Sequence, residues 1–271
     1  MHARTRRTFS MTLTLLAVGL TAMAVQFTRE RLGDAATLTG WTLLVSTAGL
    51  YLLTFRKQFI TARLGPVSAW LQLHVYMGTF ASCVFLMHIG WPVRGYFEMV
   101  LAASFVIVAV SGIVLGVMSR RTPRRLAALA VDHRLEAIPA LRVTVAHQAH
   151  SAALASAQLG EGATLAEYYQ QRLLPFFQSP RNLVYHLLPN GLQRRRLLRE
   201  LDELQRYLAE AGNASRNQLA RLVVAKDDLD YQYALQARLR MLYAWHVSLT
   251  WALALMIGVH VVLVYRFQGA L

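Results

Sequence analysis

Five stretches of this chain run for eighteen to twenty-five residues with almost no charge, and nothing else in the sequence constrains the fold as strongly. They are Phe9–Phe27, Leu38–Phe55, Val67–Trp91, Phe97–Met118 and Tyr243–Phe267, and the only charges inside them, Glu98 and Arg266, sit at edges. A helix rises about 1.5 Å per residue and a bilayer's hydrocarbon is about 30 Å thick, so roughly 20 apolar residues cross it once. Lipid offers the backbone no hydrogen-bond partner, so an unbroken apolar run of this length crosses as a helix. Trp41, Trp70, Trp91 and Trp245 lie near the ends of these runs, as an interfacial aromatic belt requires. The expected fold is an all-α polytopic membrane bundle of about five transmembrane helices with a helical cytoplasmic insertion. Its expected parts are residues 1–118 (helices one to four), 119–242 (the insertion) and 243–271 (helix five).

The basic residues give the bundle a direction. Arg4, Arg6 and Arg7 precede the first span, Arg56, Lys57 and Arg63 follow the second, and segment 119–242 holds eighteen Lys and Arg. The opposite side has Arg29, Arg31, Arg94 and Arg266 alone. Twenty-four against four places the N-terminus and 119–242 in the cytoplasm and the C-terminus in the periplasm of a bacterial inner membrane. The net charge of +14 is thereby a topological signal, and no nucleic-acid partner is expected. The first span has a rival reading. Arg-rich Met1–Arg7, a short apolar core and Ala22-Met23-Ala24 also resemble a cleavable signal peptide, and Thr5-Arg6-Arg7-Thr8-Phe9 a twin-arginine one. Cleavage would leave the later spans oriented as before.

Chemistry is concentrated in four of the nine histidines, which lie inside spans: His74 and His88 in the third, His246 and His260 in the fifth. An ionisable side chain in a bilayer is costly and points to function. In both spans the second histidine follows the first by fourteen residues. Fourteen helical residues return to within about 40° of the starting face and climb about 21 Å, so each helix presents two imidazoles on one face at two depths. Both spans run from cytoplasm to exterior, which puts His74 level with His246 and His88 level with His260. Each pair can hold one iron between two imidazoles. A lone intramembrane histidine usually bonds a neighbouring helix, but two equal spacings on two parallel helices are hard to reach that way. The single cysteine, Cys83, excludes a Cys-x-x-Cys-His attachment site, so the expected cofactors are two non-covalent b-type haems with bis-histidine ligation. Glycines 40, 49, 78, 112, 116 and 258 in these spans leave room for a macrocycle or for close helix packing. Arg94 and Arg266 near the exterior level, and Arg240 near the cytoplasmic one, are candidate partners for haem propionates.

His-x13-His on two helices resembles the dihaem cytochrome b of quinol–cytochrome c oxidoreductases. Placement on the third and fifth spans, with the run His74-Val-Tyr-Met-Gly78, resembles the ferric reductase and NADPH oxidase transmembrane domain. The resemblance covers about residues 38–118 and 243–267 and implies that His74, His88, His246 and His260 bind haem iron. It lacks a sixth span, a flavin or nicotinamide domain, and the Pro-Glu-Trp-Tyr motif of the quinol-oxidising family, so the oxidase, reductase and quinol chemistries do not carry over. The leading expectation is an electron-transfer subunit joining redox partners or the quinone pool. The alternatives are an outer-sphere reductase of oxygen or ferric iron fed by a cytoplasmic donor, and a haem-free membrane scaffold.

Segment 119–242 reads as helical. Leucines at three- and four-residue spacing predict an amphipathic helix over 192–211, with Asn213 or Ser215 capping a further helix that runs through 242 into the fifth span. No glycine-rich phosphate loop occurs. His147 and His150 lie three apart without an evident third metal ligand, and Asp227, Asp228 and Asp230 read as a docking point or a solvated face. The expected partners of this segment are a redox protein or a neighbouring subunit; those of the spans are membrane lipid.

Overall fold

A computed structural model describes residues 3–58, 66–90, 92–129, 131–158 and 163–267; of the features expected above, Arg63 and the belt residue Trp91 lie outside the described residues. The described residues form helices and turns, with no strand among them. The helices are α1 (Ala3–Glu30), α2 (Ala35–Gln58), α3 (Val67–His88), α4 (Tyr96–Leu126), α5 (Ile138–Ala157), α6 (Ala163–Tyr168), α7 (Leu174–Gln178), α8 (Leu183–Leu187), α9 (Leu192–Glu203) and α10 (Glu210–Phe267). Five of them, α1 to α4 and α10, are long and apolar enough to cross a membrane. Two compact units divide the chain: residues 1–111 with 248–271, and residues 112–247. The expected limits at 118/119 and 242/243 fall inside α4 and α10.

In the first unit, tight local chemistry sets the helix ends. Leu32 takes a positive φ of 59° after α1, and the Gly33 amide donates to the Thr28 carbonyl at 2.8 Å, closing that helix. Asp34 then caps α2, its Oδ1 accepting from the amides of Ala36 (2.9 Å) and Thr37 (3.1 Å). The Thr37 hydroxyl and these amides hold the Asp34 carboxyl below its ordinary range. The packed centre is small: Ala81, Phe105 and Leu253, flanked by Leu43, Leu50, Phe85, Leu101, Val108 and Ile257. Phe85 and Phe105 stack at 4.3 Å. Thr39, Ser46 and Thr47 of α2 are buried and Thr42 is half-buried, and each returns a hydroxyl to the carbonyl four residues back. By contrast, many large apolar side chains of α1 and α4 are exposed, among them Leu16, Leu20 and Met23 on one and Ile107 and Val110 on the other. Exposed apolar side chains on long helices are compatible with a lipid surrounding.

In the second unit a conventional core forms from Leu165, Tyr169, Leu173, Phe176 and Phe177 against Leu197, Leu201, Leu219 and Val223. Beside it lies an ionic core. Asp230 is fully buried and lies 2.8 Å from Arg142, 2.8 Å from Arg181 and 2.6 Å from Lys226; Asp227 also pairs with Arg181. Burial pulls the Lys226 ammonium below its ordinary value and pushes the Asp227 carboxyl above its own. The helix expected over 192–211 stops at Glu203, tightens into a 3-10 turn at Leu204–Tyr207 and turns at Leu208, which is buried. Helix α10 starts at Glu210, so neither Asn213 nor Ser215 caps it. The Asn213 amide reaches back to the Leu208 carbonyl at 2.9 Å.

Candidate functional site

The four histidines of the long apolar helices divide between the units. His74, His88 and His260 belong to the first, His246 to the second. All four are half-buried. His88, on the last turn of α3, and His260, on α10, come together with ring centroids 6.4 Å apart and ring planes at 86°. The Phe97 ring lies nearly parallel to that of His260, with centroids also 6.4 Å apart. No protein-family model, curated protein or solved structure matches this chain.

Hydrogen bonds from α2 bear on which nitrogen His74 and His88 offer. His74 Nδ1 is 3.2 Å from the Leu50 carbonyl oxygen, which only accepts, so Nδ1 carries the proton and Nε2 the lone pair. His88 Nδ1 is 3.0 Å from Thr39 Oγ1. That hydroxyl also lies 2.9 Å from the Ala35 carbonyl oxygen and 3.0 Å from that of Ala36; with its single hydrogen on either carbonyl, the imidazole donates from Nδ1 and Nε2 carries the lone pair. Both partners stand on α2, eleven residues apart. Metal-bound histidines commonly donate the second ring nitrogen to a carbonyl or similar acceptor in this way.

Glycines make room for the rings. A Cβ on Gly40 would lie 3.2 Å from His88 Cε1, and one on Gly112 would lie 3.1 Å from His246 Cε1. Of the other glycines singled out above, Gly49 abuts the Met77 sulfur, Gly78 meets only the tip of Leu50, and Gly116 and Gly258 face open space. Gly258 lines an apolar cleft of about 290 Å³ with Leu44, Thr47, Tyr51 and Val261. The Tyr51 hydroxyl donates to the Thr250 carbonyl at 2.7 Å, tying α2 to α10.

The His88–His260 pair can be compared with the spacing of two imidazoles on one iron. Metal–nitrogen bonds of about 2 Å on each face, with the ring centre about 1 Å behind each nitrogen, require centroids roughly 6 Å apart. The His88–His260 separation meets that requirement. Among the described residues no group of three or more His, Cys, Asp or Glu is arranged to hold a bare metal ion. His147 and His150 are exposed, His150 packing its ring 6.0 Å from Tyr169. Of the arginines considered as propionate partners, Arg94 and Arg266 are exposed and Arg240 pairs with Glu136 at 3.1 Å. Thr39 and the Leu50 carbonyl escaped the sequence reading. The available signal was the run of hydroxyl residues at 39, 42, 46 and 47 inside an otherwise apolar span.

Proposed function

We propose that this chain is an electron-transfer subunit of a bacterial inner membrane that holds two non-covalent b-type haems between histidines of α3 and α10. The observation that carries this reading is the His88–His260 pair, two imidazoles at the spacing of axial ligands inside a helix pair with an apolar exterior. The pairing of His74 with His246 at the cytoplasmic level rests on the equal fourteen-residue spacing along both helices.

The haems that these histidines would hold would supply one-electron carriers, taking up and passing on electrons without binding substrate. The chain does the rest. Thr39 and the Leu50 carbonyl hold His88 and His74 in the tautomer that presents Nε2. Gly40 and Gly112 let backbone approach the rings of His88 and His246. The stacked Phe85 and Phe105 exclude water beside α3. A membrane orientation with 119–242 in the cytoplasm follows from the basic residues, and redox proteins, neighbouring subunits or the quinone pool would supply and accept the electrons.

The test is the reduced-minus-oxidised spectrum of the purified protein, with haem quantified as the pyridine haemochrome. The reading expects about two b-type haems per chain, with one lost in His88→Ala or His260→Ala and the other in His74→Ala or His246→Ala. Folded protein from haem-replete cells that contains no haem would sink it.

A further inference from the structure

Helix α10 serves as a ruler for the second unit. The C-terminal end of α9 pairs low on it, Arg216 reaching the Leu201 carbonyl (3.4 Å) and Asp202 (3.2 Å). The start of α9 pairs higher, Arg194 with Asp228 at 3.0 Å. Helix α8 pairs higher still: His186 lies against Tyr233 at 5.8 Å, and Arg238 donates to the Leu187 carbonyl at 2.7 Å. Positions 233 and 238 precede Tyr243, where the apolar run begins, by ten and five residues, which is about 7–15 Å of helix. Segment 131–136 is held at the same level by Gln232, Gln236 and Arg240, and it carries Asp132, Arg134 and Glu136.

The surface of α8 and the turn after it has the opposite character. Tyr185 faces inward and is buried, while Leu183, Val184, Leu187, Leu188 and Leu192 are 51–76% exposed. Five large apolar side chains in ten residues form a patch rather than scattered exposure. Exposed Arg195, Arg196 and Arg199 follow directly on α9. Leucines flanked by arginines, at the level where a span begins, match the chemistry of an anionic bilayer surface, whose headgroup layer is about 5–8 Å deep.

We propose that α8 and the turn to Leu192 form an interfacial anchor that buries these leucines in the cytoplasmic leaflet, with the arginines of α9 on anionic headgroups. The proposal rests on the membrane reading of the apolar helices and is independent of haem. The full chain, with Cys83→Ala removing its one cysteine, would carry an environment-sensitive fluorophore at Leu188→Cys, Tyr207→Cys or Leu255→Cys. Each protein would be reconstituted into phosphatidylcholine–phosphatidylglycerol vesicles with and without spin-labelled lipid. Tyr207 and Leu255 are both exposed, the first in the 3-10 turn after α9 and the second in the apolar part of α10. The expected result is strong quenching by the lipid at 255 and 188, none at 207, and loss of quenching at 188 alone when Arg195 and Arg199 are both changed to Glu. Quenching at 255 without quenching at 188 overturns the anchor. If the label at 188 is then also shielded from aqueous iodide, the patch is a protein contact; if not, it faces water. Absence of quenching at 255 overturns the membrane reading itself.

Discussion

Thr39 Oγ1 lies 3.0 Å from Nδ1 of His88 and within 3.0 Å of the carbonyl oxygens of Ala35 and Ala36; with its proton on either carbonyl, the imidazole is the donor to the hydroxyl. A donated Nδ1 proton makes a ligating imidazole more electron-rich and favours the oxidised metal. Thr39→Val removes the acceptor and keeps the shape. If His88 ligates a haem, the midpoint potential of that haem rises. A hydrogen bond worth about 0.5–1.5 kcal/mol corresponds to about 20–60 mV for a one-electron couple. Potentiometric titration should show the rise in one component only, with Thr39→Ser restoring it. An unchanged midpoint with full haem content counts against the role of Thr39 and leaves ligation intact.

Gly40→Ala tests the close approach directly. The new methyl would stand 3.2 Å from His88 Cε1, tighter than an ordinary contact, so the ring must shift. If His88 ligates a haem, haem content or the spectrum of that haem should change, whereas Gly116→Ala, which meets open space, should leave both alone. Equal behaviour of the two variants would show that the ring has slack.

Asp230→Ala should be among the most damaging substitutions in the second unit. It leaves Lys226, Arg181 and Arg142 without their shared counter-charge in a buried place, a loss of about 3–5 kcal/mol. Asp202, which pairs with Arg216 while mostly exposed, should cost no more than about 1 kcal/mol on the same change. Thermal denaturation in detergent separates the two.

Acid should loosen this unit partly through Glu200. Burial opposes its ionisation, but hydrogen bonds from Arg196 and Tyr168 and the charge of Arg172 outweigh it, leaving the carboxyl below its ordinary value of 4.5. A carboxyl with a lowered folded-state pKa binds fewer protons folded than unfolded. Its contribution is therefore complete above that ordinary value and disappears as pH falls through the folded one. Glu200→Gln should flatten the acid limb of a stability–pH profile and leave the neutral region sloped as before. A limb of unchanged steepness would assign acid sensitivity to other groups.

The long apolar helices were legible because their signal is local: twenty uncharged residues identify a helix without reference to the rest of the chain. The histidine spacing was legible for the same reason. What surrounds those histidines was not. Thr39 meets His88 across 49 positions, and the Leu50 carbonyl meets His74 across 24, pairings that exist only after α2 and α3 pack. The acidic run at 227–230 misled in the same way. It reads as a solvated or docking patch, yet Asp227 and Asp230 are buried because their arginines arrive from 46 to 88 residues away. The end of α9 was misplaced because Leu208 continues the leucine spacing in sequence while its backbone turns toward the core.

Helix α2 holds its two histidines by different means, a side-chain hydroxyl for His88 and a main-chain carbonyl for His74. A point mutation can delete, weaken or exchange the first. No substitution at position 50 removes the second, since every residue there brings the same oxygen. The His88 imidazole is thus open to adjustment by single amino-acid changes, and selection or design can tune it in small steps. The His74 imidazole changes only if the helix itself moves.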